Sequence, residues 1–191
     1  QILTLVNLGM DLPDVARARL DRIMSEWSQN GYHVQHHDAL LAFVPIELYT
    51  GHVGAAWQRV EAEWADFRIS LLSQVQDIRV EMLQLRAYTA LALLNAGDTP
   101  VRAGAIRRDV RRLRREGLPW TTALADYIDA ALAWQLGDRE AAIAGLRSAV
   151  AGFDAVGAAL FSACSCWRLS ALVGHAAGAD IRHATQAWFD G

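Results

Sequence analysis

The sequence contains no lysine. All 18 of its Lys-or-Arg positions are arginine, which excludes from this segment a phosphate-binding loop of the Gly-Lys-[Ser/Thr] type, a kinase-type strand lysine and Schiff-base chemistry. The GxGxxG, GxSxG and HExxH motifs are missing as well. Cysteine is scarce: Cys164 and Cys166 stand two residues apart, about 200° from each other on a helix, a separation that suits neither a shared metal nor a local disulfide. Both are expected to be reduced, mostly buried small residues. No apolar run reaches the roughly 18 residues of a membrane span, and no signal peptide is visible. The expected compartment is the cytoplasm. The formal net charge of -3 gives no general attraction to nucleic acid or to an anionic membrane. No segment alternates as a strand should.

What is present is helix, punctuated by glycine. Turn glycines recur at Gly9, Gly51, Gly97 and Gly137, separated by 42, 46 and 40 residues, with a fifth expected at Gly174 or Gly178. An apolar helical run precedes each and an amphipathic run follows, which predicts a helical hairpin repeated about every 40 residues. The tetratricopeptide pattern wants a small residue five positions after the turn glycine and larger ones further on. After Gly137 come Ala142, Leu146 and Ala149; after Gly51 come Ala56, Val60 and Glu63. The small residue lets the two helices approach, and the larger ones plug the next repeat. The Trp, Tyr and closing Pro of the full pattern are mostly missing, so the repeats are divergent and lengthened.

The expected helices span residues 12–29, 34–50, 53–67, 70–95, 100–116, 119–136, 139–155, 158–173 and 179–189. Pro13, Pro100 and Pro119 fall at first helical turns, Thr99 is placed to N-cap Pro100, and Gly117 supplies a stop. Pro45 lies inside an apolar helical run and is expected to kink or interrupt it. The fold class is therefore all-α: a right-handed α-solenoid of about five tetratricopeptide-like hairpins, forming a single domain over 1–191. The opening "QILTLVNLG" reads as the tail of a helix, and the chain as a piece of a longer protein.

Three constellations bear on chemistry. His33, His36 and His37 fall at i, i+3 and i+4 and would share one face of a continuous helix. A metal set lacks an acidic or Cys ligand at a matching offset, so no metal is expected, and the plainer reading is that these histidines cap the helix start. "IRRDVRRLRRE" sets Arg107, Arg108, Arg111, Arg112, Arg114 and Arg115 around an apolar stripe of Ala103, Ile106, Val110 and Leu113, which reads as a solvated outer helix facing an acidic partner domain. In "SLLSQVQDIRVEMLQLRAYTALALL", Leu72, Val75, Arg79, Leu83 and Arg86 share one sector. Buried guanidinium must be paired, either with acids such as Glu47, Glu61 or Glu63, or with an anionic ligand or peptide carboxylate. Gln76, Arg79, Arg86, His33 and His36 are thus the candidate partner- or ligand-binding residues. The seven Trp, one or two per hairpin, suit packing between repeats.

"GYHVQHHDALLAFVPIELYTGHVGAAWQRVEAEWADFRISLLSQVQDIRVEMLQLRAYTALALL", followed by "RRLRREGLPWTTALADY", resembles the carboxy-terminal tetratricopeptide-like region of large bacterial serine/threonine protein kinases, in which helical repeats follow a kinase domain and an ATPase-like module. The resemblance covers most of the chain; Pro45 and His37 depart from it. It implies a regulatory or partner-binding role, with a protein segment or another domain of the same polypeptide as partner. It brings no catalytic residue and no cofactor to this segment, and no nucleic acid or membrane partner is expected. The alternative reading is a small-molecule-sensing repeat domain of an ATPase-type transcription regulator.

Overall fold

A computed structural model of the chain describes residues 2–27, 32–97 and 103–190. Among them the protein is all-α, with no strand. Ten helices run α1 (Ile2–Gly9), α2 (Pro13–Ser25), α3 (Val34–Tyr49), α4 (Val53–Ile69), α5 (Gln76–Asn95), α6 (Ala103–Arg115), α7 (Pro119–Gln135), α8 (Arg139–Ala155), α9 (Ala159–Leu172) and α10 (His175–Asp190), with a 3-10 turn at Leu71–Gln74. No helix is long and apolar enough to cross a membrane. The chain divides into two compact units, residues 1–102 and 103–191. The boundary falls after Gly97, inside the third expected hairpin, so α5 belongs to the first unit and α6 to the second. The Thr99 and Pro100 capping positions lie outside the described residues.

Glycine does terminate the helices, at a shorter interval than the hairpin period suggests. Gly97, Gly117, Gly137 and Gly157 stand 20 residues apart, each with positive φ. One helix plus one turn is therefore the unit that repeats here. Gly137 shows the mechanism. Its φ of 83° is a conformation that costs glycine no Cβ clash, and it lets the Asp138 N–H donate to the Ala133 carbonyl at 2.9 Å, satisfying a helix-end acceptor. Asp138 then caps α8, its Oδ1 accepting from the Ala141 N–H at 3.0 Å. Gly9 behaves differently. It closes α1 as a helical residue, and the left-handed position falls on Asp11, φ 57°.

In the first unit, each of α1 to α5 packs on the next, and α3 also touches both α1 and α5. Its core gathers Leu40, Val44, Ala56, Val60, Phe67 and Met82. Pro45 does not interrupt α3. The lost backbone hydrogen bond and ring clash cost roughly 3 kcal/mol, but Val44 and Ile46 beside it are 0% exposed, and each such side chain contributes about 1.5–3 kcal/mol when buried. The expected helix 70–95 is divided: Val75, with φ -81° and ψ 118°, is extended and separates the 3-10 turn from α5.

In the second unit, α6 to α10 pack in chain order, each on the next. The most extensive packing joins α7 and α8. A Cβ built on Gly145 would meet the Ala130 Cβ at 2.9 Å, and one on Gly152 would meet the Ala123 Cβ at 2.8 Å. Both pairs are seven residues apart on antiparallel helices, and Ala142, Ala149 and Leu146 are buried along the same seam. The last turn falls at Val173–Gly174, and α10 begins at His175. Gly178 is inside that helix, where a Cβ would collide with the Ser170 carbonyl of α9. The buried side of α9 is taken by Ser162, Ser165, Leu169 and Leu172. Cys164 is consequently exposed and Cys166 half-buried, a correction to the expectation of two mostly buried thiols. The tryptophans are likewise less enclosed than expected: Trp27, Trp134, Trp167 and Trp188 are exposed.

Gly152→Leu should lower the urea stability of the protein by about 1–3 kcal/mol, the usual cost of overpacking. Gly54→Ala, where a Cβ meets nothing within 4 Å, should leave stability unchanged or raised. Equal urea midpoints for wild type and Gly152→Leu would contradict the close α7–α8 packing.

Candidate functional site

A groove of about 720 Å³ lies in the second unit, lined from α6, α7 and α8. Its walls are mostly small residues, Ala130, Ala133, Ala141, Ala144 and Gly145, with Leu132 and Leu136 beside them. Its rim is ionic. Arg114 on α6 donates to Asp126 of α7 at 2.9 Å and to Asp129 at 3.2 and 3.3 Å. The hydrogen bond to Asp126 is the main cause of an Arg114 pKa raised above the ordinary guanidinium value. Ser148 on α8 donates to the other Asp126 oxygen at 2.6 Å. Asp126 thus ties three helices together, and Asp138 and Arg107 complete a rim of opposed charges.

The first unit holds the five sequence-predicted residues. The His36 Nδ1 accepts the His33 backbone N–H at 3.1 Å, the helix-start role anticipated for these histidines, and the two rings lie 5.7 Å apart. His37 turns away from them. It is buried, and its Nε2 pairs with Glu81 of α5 at 2.9 Å. Among the described residues no group of three or more His, Cys, Asp or Glu is placed to hold a metal ion. Gln76 opens α5, and Arg79 donates to the Ser73 carbonyl at 2.8 Å, closing the 3-10 turn. Arg86, two turns further on, donates through Nε to Glu61 at 2.7 Å and sits over the Trp64 ring at 4.6 Å and the Trp57 ring at 5.8 Å. His33 and His36 are therefore brought together, Gln76 and Arg79 share the start of α5, and Arg86 belongs to a separate cluster on α4 and α5.

One pair escaped the sequence analysis. Glu47 is 2% exposed, and its Oε1 accepts from Arg59 Nε at 3.0 Å and Nη2 at 2.7 Å, with Arg17 at 3.8 Å. The Arg59 guanidinium also lies 4.4 Å from the Phe43 ring centroid. The signal was a lone acid in the apolar run "LLAFVPIELY", which demands a cation. Arg59 lines a smaller cavity of about 280 Å³ with His36, Phe43 and Glu63. Burial there raises the Glu63 carboxyl above its ordinary pKa, the nearby His36 acting in the opposite sense.

Comparison with family models, with curated proteins and with solved structures finds no match to this chain.

Arg59→Ala leaves Glu47 buried beside only the more distant Arg17, and should cost about 3 kcal/mol in urea unfolding; an unchanged midpoint would contradict the pairing. For Glu63, a pKa raised on folding means that the folded state holds the proton more tightly than the unfolded chain. Its ionisation therefore opposes folding above the raised value, and the penalty is relieved as pH falls towards the ordinary carboxylate range. Glu63→Gln should melt higher than wild type at neutral pH, with the difference vanishing below about pH 4. A gap that widens on acidification would show the sign to be wrong.

Proposed function

We propose that the chain is a non-catalytic protein-interaction module, the regulatory helical-repeat part of a bacterial signalling protein of the serine/threonine kinase kind, working in the cytoplasm. The groove over α7 carries this reading. Its small-residue walls accept the apolar side of a helix or extended segment, while the exposed Arg107 and Asp138 on its rim offer both signs of charge to fix register. Within each unit the hairpins are read as turns of a right-handed α-solenoid, an architecture that works by presenting such surfaces. The partner is a protein segment or another domain of the same polypeptide. Arg86 favours this reading over a sensor of small anions, because its Nε already donates to Glu61.

The test is calorimetric titration of the chain with the other domains of the polypeptide encoded by its reading frame. Ala144→Trp, at an exposed position on the groove wall, should weaken binding about tenfold while leaving the fold intact. Binding untouched by Ala144→Trp would move the docking site elsewhere, and no binding by the wild type would overturn the reading.

A further inference from the structure

The six arginines of α6 are sorted by the fold into two groups. Arg112 is paired with the buried Asp109 at 3.1 Å, and Arg114 with Asp126 and Asp129. Arg107, Arg108, Arg111 and Arg115 are exposed and have no hydrogen-bond or ion-pair partner among the described residues. At 100° per residue these four fall within one sector of about 100°, opposite the buried Ile106, Val110 and Leu113. From Arg107 to Arg115 the stripe runs about 12 Å along the axis, and its Arg107 end lies on the rim of the α7 groove.

We propose that this stripe is a docking face for an acidic protein segment, a Glu- or Asp-rich helix that presents carboxylates at i, i+4 and i+8. The inference rests on the protein-interaction reading above and names the chemistry of the partner. Arg107, Arg111 and Arg115 repeat at the four-residue step on which a facing helix repeats its carboxylates, and guanidinium forks bind carboxylate bidentately. Four unpaired cations on one face of a chain with net charge -3 make a local attraction that a long polyanion, repelled elsewhere, would exploit poorly. The described α6, "AGAIRRDVRRLRR", also has no aromatic side chain on which a nucleic-acid base could stack.

Fluorescence anisotropy with a labelled Ala-based helical peptide carrying Glu at i, i+4 and i+8 tests this. The Glu peptide should bind wild type with an affinity that falls as salt is raised, and its Gln counterpart should bind about tenfold more weakly. Arg111→Glu/Arg115→Glu should lose about tenfold, Arg111→Gln/Arg115→Gln should lose less but in the same direction, and Arg147→Glu on α8 should bind like wild type. Circular dichroism checks that each variant stays folded. Equal binding of the Glu and Gln peptides, or an unaffected double reversal, overturns the proposal. So does tighter binding of a uridine homopolymer or of anionic phospholipid vesicles than of the Glu peptide. If the parent domains still bind the double reversal but not Ala144→Trp, the stripe is excluded while the module reading stands.

Discussion

The second unit depends on the absence of side chains where α7 meets α8. Gly145 against Ala130 and Gly152 against Ala123 bring two backbones to a distance that a larger residue at either position would forbid. Close approach multiplies weak dispersion contacts over the length of both helices. The same emptiness shapes the exterior. Ala130 and Gly145 both pack in the seam and line the groove beside Ala133 and Ala144, so small residue size serves the packing beneath and the trough above.

Arginine performs several tasks that a mixed Lys and Arg complement would share. Buried and half-buried acids need a cation that can serve two acceptors or lie flat on a ring, and the planar guanidinium does both. Arg114 bridges Asp126 and Asp129, Arg59 holds Glu47 while stacked on Phe43, and Arg86 holds Glu61 above Trp64. Each joins neighbouring helices, α6 to α7 or α4 to its partner, so these pairs fix which faces meet. Arg107, Arg108, Arg111 and Arg115 on α6 have no such ion pair among the described residues, and they stand together on one face of one helix.

Helix placement was legible because its signals are local. Pro13 and Pro119 each open a helix, Gly51 and Gly137 each follow the end of one, and the apolar stripe of α6 gives the buried Ile106, Val110 and Leu113. The 20-residue step was concealed by reading Gly117 only as a stop and by passing over Gly157, which follows an unremarkable "DAV". Gly178 misled in the opposite sense, since a glycine required for close contact with the Ser170 carbonyl looks in sequence like a turn. The groove left almost no trace. Alanine and glycine in a helical run read as helix propensity, and whether Ser148 and Arg114 converge on Asp126 depends on the pairing of three helices, which no spacing reveals. Glu47 was among the acids expected to pair with Arg79 or Arg86, and its actual pairing with Arg59 required knowing how α3 meets α4.

Residue-resolved native-state hydrogen exchange tests the organising role of the α7–α8 seam most directly, because protection follows the packing that must be lost before an amide opens. The slowest amides of residues 103–190 should lie in α7 and α8 around Ala130 and Leu146 and exchange through global opening of the unit, with α10 exchanging earlier. Slowest exchange in α6 or α10, with α7 and α8 opening by local fluctuation, would contradict the account.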